Sequence, residues 1–166
     1  RGGFGVVVEA EDARTHTRVA LQELSRTSPA ALARFKREFR VLQDLHHPNL
    51  VRLDGLFAHE GRFFIAMELL NGKSFVEFVR ESGTCDEARL RSALIDLIAG
   101  LSALHEAGFL HRDLTPRNVI VTREGRAVLL DFGLVGDKRA TDDSHGWVGT
   151  LPYVSPEQIQ GEALDS

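Results

Sequence analysis

This 166-residue sequence has a single cysteine and no long apolar run. Cys85 cannot form a disulfide within the chain, which fits a reducing compartment, and we expect a cytoplasmic protein. Cys85 itself is predicted to be a small filler residue at a helix start and not a reactive thiol. No apolar run approaches the roughly 18 residues that a membrane-spanning helix needs. No membrane segment is therefore predicted in this chain.

Lysine is rare among the positively charged side chains. The formal net charge is −4 at pH 7, so the chain lacks the basic excess of nucleic-acid-binding proteins, and no nucleic-acid partner is expected. Of the 20 basic side chains only three are lysines, Lys36, Lys73 and Lys138. The hydrophobic share of 43% and the charged share of 27% are ordinary for a globular protein and exclude gross disorder.

The first 70 residues predict strands around one helix. A glycine-rich turn, RGGFG, precedes the apolar runs VVVEA and RVALQEL, and the runs LVRLDGLF and RFFIAMEL predict a hairpin around HEGR. Between these pairs, apolar residues recur at helical spacing over residues 29–45. Glu38 lies on or beside that apolar stripe, where a carboxylate is costly unless it has a partner.

The remaining residues predict mainly helix. SFVEFVRE indicates a short helix, and Thr84 with Glu87 forms a predicted capping box for a long helix that ends at Gly108. The leucine and isoleucine positions predicted to face inward on this helix are Leu90, Leu94, Leu97, Ile98, Leu101 and Leu104. Two short strands, NVIVT and AVLLDFG, follow, and then a polar segment over residues 134–150 that is long enough to be a functional loop. The overall pattern is α+β.

HRDLTPRN, residues 111–118, is the most informative stretch. Asp113 and Asn118 are five residues apart on a predicted loop, and Asp131 begins DFG eighteen residues after Asp113. A single loop aspartate is usually a solvated turn residue. All three at these spacings favour a functional site, because carboxylate and amide oxygens suit the hard cation Mg²⁺.

In these motifs the chain resembles the protein-kinase family, specifically its serine/threonine branch and bacterial-type members, over essentially all 166 residues. RGGFGVV resembles the glycine-rich loop, VALQ the third-strand motif, HRDLTPRN the catalytic loop and DFG the metal-binding motif. The stretch from Gly149 to Glu157 resembles the end of the activation segment. The resemblance implies a two-lobed fold with an N-lobe over residues 1–67, a hinge over 68–73 and a partial C-lobe over 74–166. The family's later helices are not reached, so further domains beyond residue 166 are expected.

The resemblance also implies ATP and Mg²⁺ as cofactors and a protein substrate. Asp113 would accept or orient the proton of the substrate hydroxyl, and Asn118 and Asp131 would hold the metal. The implied catalytic residues are Gln22, Glu38, Asp113, Arg117, Asn118 and Asp131. The implied nucleotide-binding residues are Gly2, Gly5, Val7, Ala20, Gln22, Met67, Glu68, Leu69 and Ile120.

Gln22 departs from the family pattern, which has a lysine there that pairs with the residue matching Glu38 and reaches the α- and β-phosphates. Gln22 donates hydrogen bonds but carries no charge, and losing one charged donor costs a factor of about 10²–10³ in rate by analogy with an oxyanion-hole donor. No substitute is visible in the sequence. Lys36 is two positions before Glu38 and points away from it, and Arg18 is roughly 13 Å from Gln22 along the strand.

Thr115 is a second departure, since serine/threonine kinases usually have a lysine there that touches the γ-phosphate. Arg117 occupies the position from which many tyrosine kinases present an arginine for this purpose, and its planar fork suits phosphate. A solvated surface arginine is the other interpretation of Arg117.

Arg112, beside Asp113, indicates control by phosphorylation, because an arginine there can pair with a phosphate in the activation segment. The candidate acceptors are Thr141, Ser144 and Thr150. Thr150 is also explained as a structural residue that bonds toward Asp113 and Thr115.

The function that these residues imply is ATP-dependent phosphorylation of a protein Ser/Thr hydroxyl. The alternative is a pseudokinase, a regulatory ATP-binding module, and Gln22 is its strong support. A phosphotransferase acting on a small molecule shares part of the motif set, but the G-T-x-x-Y-x-S-P-E stretch argues against it because it helps to bind peptides in protein kinases. The substrate protein, the activating signal and the oligomeric state do not follow from the sequence.

Overall fold

The computed structural model describes residues 7–24, 29–130, 136–137 and 151–160. The chain divides into two units, which we call unit 1 (Arg1–His46 with Val51–Leu70) and unit 2 (His47–Leu50 with Asn71–Ser166). Unit 1 is one antiparallel sheet with a helix, whereas unit 2 contains most of the helical residues and two small sheets. The predicted α+β class is therefore confirmed. The lobe and hinge boundaries at 1–67, 68–73 and 74–166 stay a prediction.

Unit 1 is built on a four-stranded antiparallel sheet in the order β1-β2-β4-β3. The strands are β1 (Val7–Asp12), β2 (Thr17–Glu23), β3 (Leu53–His59) and β4 (Arg62–Glu68). The β3–β4 turn has positive φ at both central residues, 48° at Glu60 and 73° at Gly61, as the right-handed twist of a two-residue hairpin favours. Both predicted strand pairs are present, and the sheet brings the second strand of each pair side by side.

Helix α1 (Pro29–Asp44) packs on this sheet against β3. Phe39 and Leu42 are buried on its inner face, and the ring centroids of Phe35 and Phe39 are 6.0 Å apart. The pairing register of β3 shifts between Leu53 and Gly55, so the intervening residue is a bulge with no partner on β4. The Gln43 side chain of α1 donates to the backbone carbonyl of that bulged residue, Asp54, at 2.9 Å. The irregular point of the sheet is thus where the helix is attached.

Unit 2 is organised around helix α3 and a three-stranded antiparallel sheet. Its helices are α2 (Phe75–Val79), α3 (Glu87–Glu106) and α4 (Pro156–Gln160), and its strands are β5 (Gly72–Ser74), β6 (Phe109–Leu110), β7 (Val119–Thr122), β8 (Ala127–Leu129) and β9 (Gly136–Asp137). The sheet orders are β5-β7-β8 and β6-β9. The side chains of Leu104, Val119, Val121, Val128 and Leu129 are fully buried and form the core.

Helix α3 corrects two predictions. Its N-cap is Asp86, whose carboxylate accepts the backbone N–H of Arg89 at 3.0 Å, so the helix begins at Glu87 and the predicted capping box of Thr84 is wrong. The aspartate is adjacent to the first helical residue, where a cap must be. The helix ends at Glu106 and Gly108 follows with φ of 86°, which agrees with the predicted C-terminal glycine.

The buried stripe of α3 also differs from the predicted one. Ala93, Leu97, Gly100 and Leu104 are buried, whereas Leu94 and Ile98 are 43% and 63% exposed. Two of the inward positions are small because β8 and residue 49 approach the helix closely there. A prediction based on large apolar residues alone turns the expected buried face of the helix toward those residues and away from the small ones.

Across the described ranges, no helix combines the length and the apolar character needed to cross a bilayer.

Candidate active site

The segment from His111 to Asn118 forms a hydrogen-bonded loop in unit 2. It follows β6, contains a 3₁₀ turn over Pro116–Asn118, and leads directly into β7. The backbone N–H of Asn118 donates to the carbonyl of Thr115 at 3.0 Å, and the N–H of Leu130 donates to the carbonyl of Asn118 at 2.7 Å. The C-terminal end of the loop is therefore tied to the residue that follows β8.

His111 is a buried structural residue of this loop, 3% exposed. Its Nε2 lies 2.8 Å from the carbonyl oxygen of Leu130, and the backbone N–H of Asp113 donates to its Nδ1 at 3.4 Å. Because a carbonyl only accepts and a backbone N–H only donates, Nε2 carries the proton and Nδ1 is the acceptor. His111 thus uses both ring nitrogens to hold backbone, which is unlike a general base.

Asp113 and Asn118 are brought together by the loop. Asp113 is 5% exposed, and the Asn118 side-chain nitrogen donates to its backbone carbonyl at 2.9 Å and to its carboxylate Oδ2 at 3.1 Å. One amide therefore fixes both the main chain and the carboxylate of the aspartate. Since the amide nitrogen is used in this way, the side-chain oxygen of Asn118 is the atom suited to a cation.

Thr115 and Arg117, the two loop positions that depart from the serine/threonine pattern or compensate for it, differ in exposure. Thr115 is 4% exposed and is the N-cap residue of the 3₁₀ turn. Arg117, in the middle of the turn, is exposed. An exposed arginine beside a buried aspartate can reach an anionic substrate, and its contact with the γ-phosphate stays a prediction.

Gln22 is the second-last residue of β2 in unit 1, where its Cα is opposite Val7 of β1 and Ile65 of β4. It is 7% exposed, as is Ala20 two residues earlier on the same face. Ala20 is paired with Met67 of β4, which is 8% exposed. A neutral amide at this depth costs less to bury than an ammonium group would.

Glu38 is half-buried on α1. The ammonium of Lys36 lies 4.8 Å from the ring centroid of Phe63, and the guanidinium of Arg18 contacts the carboxylate of Glu9. That neither Lys36 nor Arg18 replaces the lysine missing at position 22 stays a prediction.

Glu68, the residue after Met67, is hydrogen-bonded to the backbone of Arg52. The N–H of Glu68 donates to the carbonyl of Arg52 at 3.0 Å, and its carboxylate accepts the N–H of Arg52 at 2.9 Å. Leu69 is half-buried, and Val7 is 55% exposed at the start of β1. In unit 2, Ile120 is half-buried on β7 opposite Ser74 and Val128. Nucleotide contacts by these residues stay predictions.

Six predicted site residues lie outside the described residues, namely Gly2, Gly5, Asp131, Thr141, Ser144 and Thr150. Within the described ranges, no group of three or more His, Cys, Asp or Glu side chains could hold a metal ion. The predicted magnesium ligands, Asn118 and Asp131, are not a group of that kind, and their role stays a prediction.

Sequence reasoning missed one residue that contacts the loop. The side-chain nitrogen of Gln158, on α4, donates to the backbone carbonyl of Arg112 at 2.9 Å. The Ser-x-x-Gln spacing of Ser155 and Gln158 marks a helix start in the sequence, but a pattern of that kind does not report what else the glutamine contacts.

Comparison with known proteins gives consistent matches along the chain. A family model described as the protein kinase domain matches residues 1–166. The serine/threonine-protein kinase PknD of Mycobacterium tuberculosis is 35% identical over 172 residues, which cover 99% of this chain and 26% of that protein. PknE of the same organism is 34% identical over 96% of this chain and 29% of its own length. A probable serine/threonine-protein kinase of Dictyostelium discoideum is 28% identical over 99% of this chain and 38% of its own length. The chain thus spans between about a quarter and two fifths of these relatives.

Proposed function

Because the chain belongs to the protein kinase family, we propose that it is the catalytic domain of an ATP-dependent protein serine/threonine kinase. The observation that carries the proposal is the buried Asp113, whose carboxylate and carbonyl are both held by Asn118. The relatives named serine/threonine-protein kinases support the choice of Ser/Thr hydroxyls as acceptors.

Asp113 is proposed to accept or orient the proton of the attacking hydroxyl. Phosphoryl transfer asks a protein mainly for positioning and charge stabilisation, and the rigid hold on Asp113 suits the first of these. The Asn118 amide donates to the carboxylate of Asp113, and the ring of His111 accepts the backbone N–H of Asp113.

The residues proposed to hold Mg²⁺ are Asn118, through its side-chain oxygen, and Asp131. When bound with ATP, the cation neutralises charge on the phosphates. Gly2 and Gly5 are proposed to let the backbone approach those phosphates, and Ala20 and Met67 to bind the adenine. Arg117 is proposed to contact the γ-phosphate, because a guanidinium remains charged at all working pH values.

Regulation by phosphorylation is part of the proposal. Arg112 would pair with a phosphate on Thr141 or Ser144, with Thr150 as a third candidate that a structural role also explains. We place the domain in the cytoplasm because its one cysteine, Cys85, is exposed and free, as a reducing compartment allows.

Gln22 favours a second candidate, a pseudokinase that binds nucleotide and regulates a partner without turnover. The substitution removes a positive charge from a position near the C-terminal end of β2, and the side chain is buried at 7% exposure. Asp113, Asn118 and Asp131 are all retained, which places catalytic activity ahead of this alternative.

The experiment compares wild type, Gln22→Lys and Asp113→Asn in the full-length protein. We expect the wild type to phosphorylate serine or threonine above the Asp113→Asn background, and Gln22→Lys to raise kcat by up to about 10²–10³. Nucleotide binding is measured in parallel by calorimetry with Mg·ATP.

Three outcomes separate the candidates. Wild-type turnover above Asp113→Asn rejects the pseudokinase. Binding of Mg·ATP without turnover supports it. Absence of Mg·ATP binding at millimolar concentration rejects the kinase proposal.

A further inference from the structure

Helix α4 begins with a reciprocal capping box. The backbone N–H of Gln158 donates to the hydroxyl of Ser155 at 3.3 Å, and the N–H of Ser155 donates to the side-chain oxygen of Gln158 at 3.2 Å. This pair accounts for the oxygen of the Gln158 amide. It leaves the two N–H bonds of the amide group for another partner.

That partner is the backbone carbonyl of Arg112, 46 residues earlier in the chain, at 2.9 Å from the Gln158 nitrogen. Gln158 is half-buried, so this hydrogen bond is partly shielded from water. Because the oxygen is bound to Ser155 and the nitrogen to Arg112, the orientation of the amide is fixed at both ends. A glutamate at this position would keep the first contact and lose the second.

Arg112 is a residue whose backbone needs support. Its φ is 63°, in the left-handed region where the side chain of a non-glycine residue crowds the backbone. It immediately precedes Asp113. The conformation of Arg112 therefore decides where the aspartate is placed.

The peptide unit that joins Arg112 to Asp113 is held on both sides. Its carbonyl accepts from Gln158, and its N–H donates to Nδ1 of His111 at 3.4 Å. The peptide unit is planar, so fixing the carbonyl and the N–H fixes the plane from which Asp113 extends. The histidine bond is long, which leaves the shorter Gln158 bond as the stronger of the two.

We propose that Gln158 is a positioning residue for Asp113, acting through the Arg112 carbonyl in addition to capping its own helix. The consequence for catalysis rests on the proposed kinase function. The consequence for the backbone does not, because it is a property of unit 2 alone.

The test variant is Gln158→Glu in the full-length protein, with Ser155→Ala as its matched control. Glutamate serves in capping boxes as well as glutamine, so Gln158→Glu keeps the helix cap but places a carboxylate oxygen against the Arg112 carbonyl. Ser155→Ala removes the cap hydroxyl and leaves the donor to Arg112 in place. Thus Gln158→Glu removes the bond to the Arg112 carbonyl, and Ser155→Ala removes the bond from the Gln158 backbone N–H to the cap hydroxyl.

Two readouts are used, NMR-detected hydrogen exchange of the Asp113 amide and steady-state kinetics. For Gln158→Glu we expect exchange to rise about tenfold and kcat to fall about tenfold, with KM for ATP and the melting temperature close to wild type. For Ser155→Ala we expect a lower melting temperature, with the exchange of the Asp113 amide and kcat unchanged. Gln158→Ala replaces Gln158→Glu in the same comparison if the latter does not fold.

Unchanged exchange of the Asp113 amide in Gln158→Glu would overturn the proposal. An equal rise in both variants would also overturn it, because α4 would then support the loop as a whole and not through the Gln158 hydrogen bond. If the wild type shows no turnover above Asp113→Asn, the kinase function fails, but the exchange comparison still decides whether Gln158 holds the loop. Faster exchange with unaltered kcat in an active enzyme would reject the positioning role.

Discussion

The pairing of Asp113 with Asn118 shows how one neutral side chain can keep a buried carboxylate in place. Asp113 is 5% exposed, and burial of a carboxylate is unfavourable unless donors surround it. Asn118 supplies one donor to the carboxylate and one to the carbonyl of the same residue. The amide group does this without adding charge, so its oxygen stays suited to a cation.

We predict that Asn118→Asp destabilises the folded protein by about 1–3 kcal/mol at pH 7, because two carboxylates then face each other and the donor is lost. Asn71→Asp is the matched control, since the same chemical change is made at an exposed position between β4 and β5 and should stay within about 0.5 kcal/mol. Urea denaturation of both variants measures the difference. Equal stability of the two would contradict the role given to Asn118.

Gln22 is a buried position at which the chain has a neutral side chain where the family pattern has a charged one. A lysine at this position of β2 would supply charge to a phosphate, but at 7% exposure its ammonium group would need an acidic partner when no nucleotide is bound. A glutamine avoids that requirement. Its cost, if the domain is an active kinase, falls on the rate of phosphoryl transfer and not on the stability of the sheet.

At the element scale, helix α3 is defined by how closely it approaches the chain around Asn49. A Cβ atom added at Gly100 would lie 2.8 Å from the backbone oxygen of Asn49 and 3.2 Å from its Cβ. Asn49 cannot move away easily, because its side chain donates to the Ala127 carbonyl at 2.8 Å and its own carbonyl accepts from Leu129 at 2.9 Å. The glycine is thus required by packing and not by its backbone freedom.

Gly100→Ala is expected to destabilise the protein by up to about 2 kcal/mol. Alanine gains about 1 kcal/mol over glycine in a helix, but overpacking against fixed backbone costs about 1–3 kcal/mol. Ser102→Ala, at an exposed position of the same helix, provides the control and should be neutral or slightly stabilising. Thermal and urea unfolding give the sign, and a stabilised Gly100→Ala would show that Asn49 yields.

At the scale of the whole molecule, hydrogen bonds lower the pKa of carboxylates at several separate exposed sites. Glu81 contacts Lys73 of β5 and Arg89 of α3, and the hydrogen bond with Lys73, followed by that with Arg89, lowers its pKa from 4.5 to about 2. The pKa of Asp12 is lowered by the backbone N–H of Arg14, and that of Glu77 by the Ser74 hydroxyl. Hydrogen bonds thus favour the charged form at several separate places.

We predict that acid destabilises the protein progressively below about pH 4.5. A carboxylate with a lowered pKa contributes stability that is fully present above its unfolded pKa and is lost as the pH falls through its folded pKa. For Glu81 the window runs from 4.5 down to about 2. Glu81→Gln should therefore lose less stability than the wild type over this range, as measured by urea midpoints between pH 6 and pH 2.

The two proteins should differ less in 1 M NaCl, because the Debye length falls to about 3 Å and these carboxylates are exposed. An identical acid dependence in wild type and Glu81→Gln at low salt would remove Glu81 from the explanation.

The sequence by itself determined the strands and helices and the chemistry of the loop. Alternating and helical apolar patterns are local properties, so both strand pairs and the helices α1, α2 and α3 were within reach of pattern reasoning, although the cap of α3 was assigned to Thr84 and not to Asp86. The family resemblance likewise needed only the order and spacing of the motifs, from VALQ to HRDLTPRN.

Only the tertiary structure decided which groups touch. That Gly100 meets Asn49 and that Gln158 reaches Arg112 are contacts between residues whose distance along the chain carries no signal of their distance in space. The inward face of α3 was misjudged for the same reason, because a small residue is buried wherever another backbone comes close. Side-chain chemistry is written in the sequence, but hydrogen-bond partners are fixed by packing.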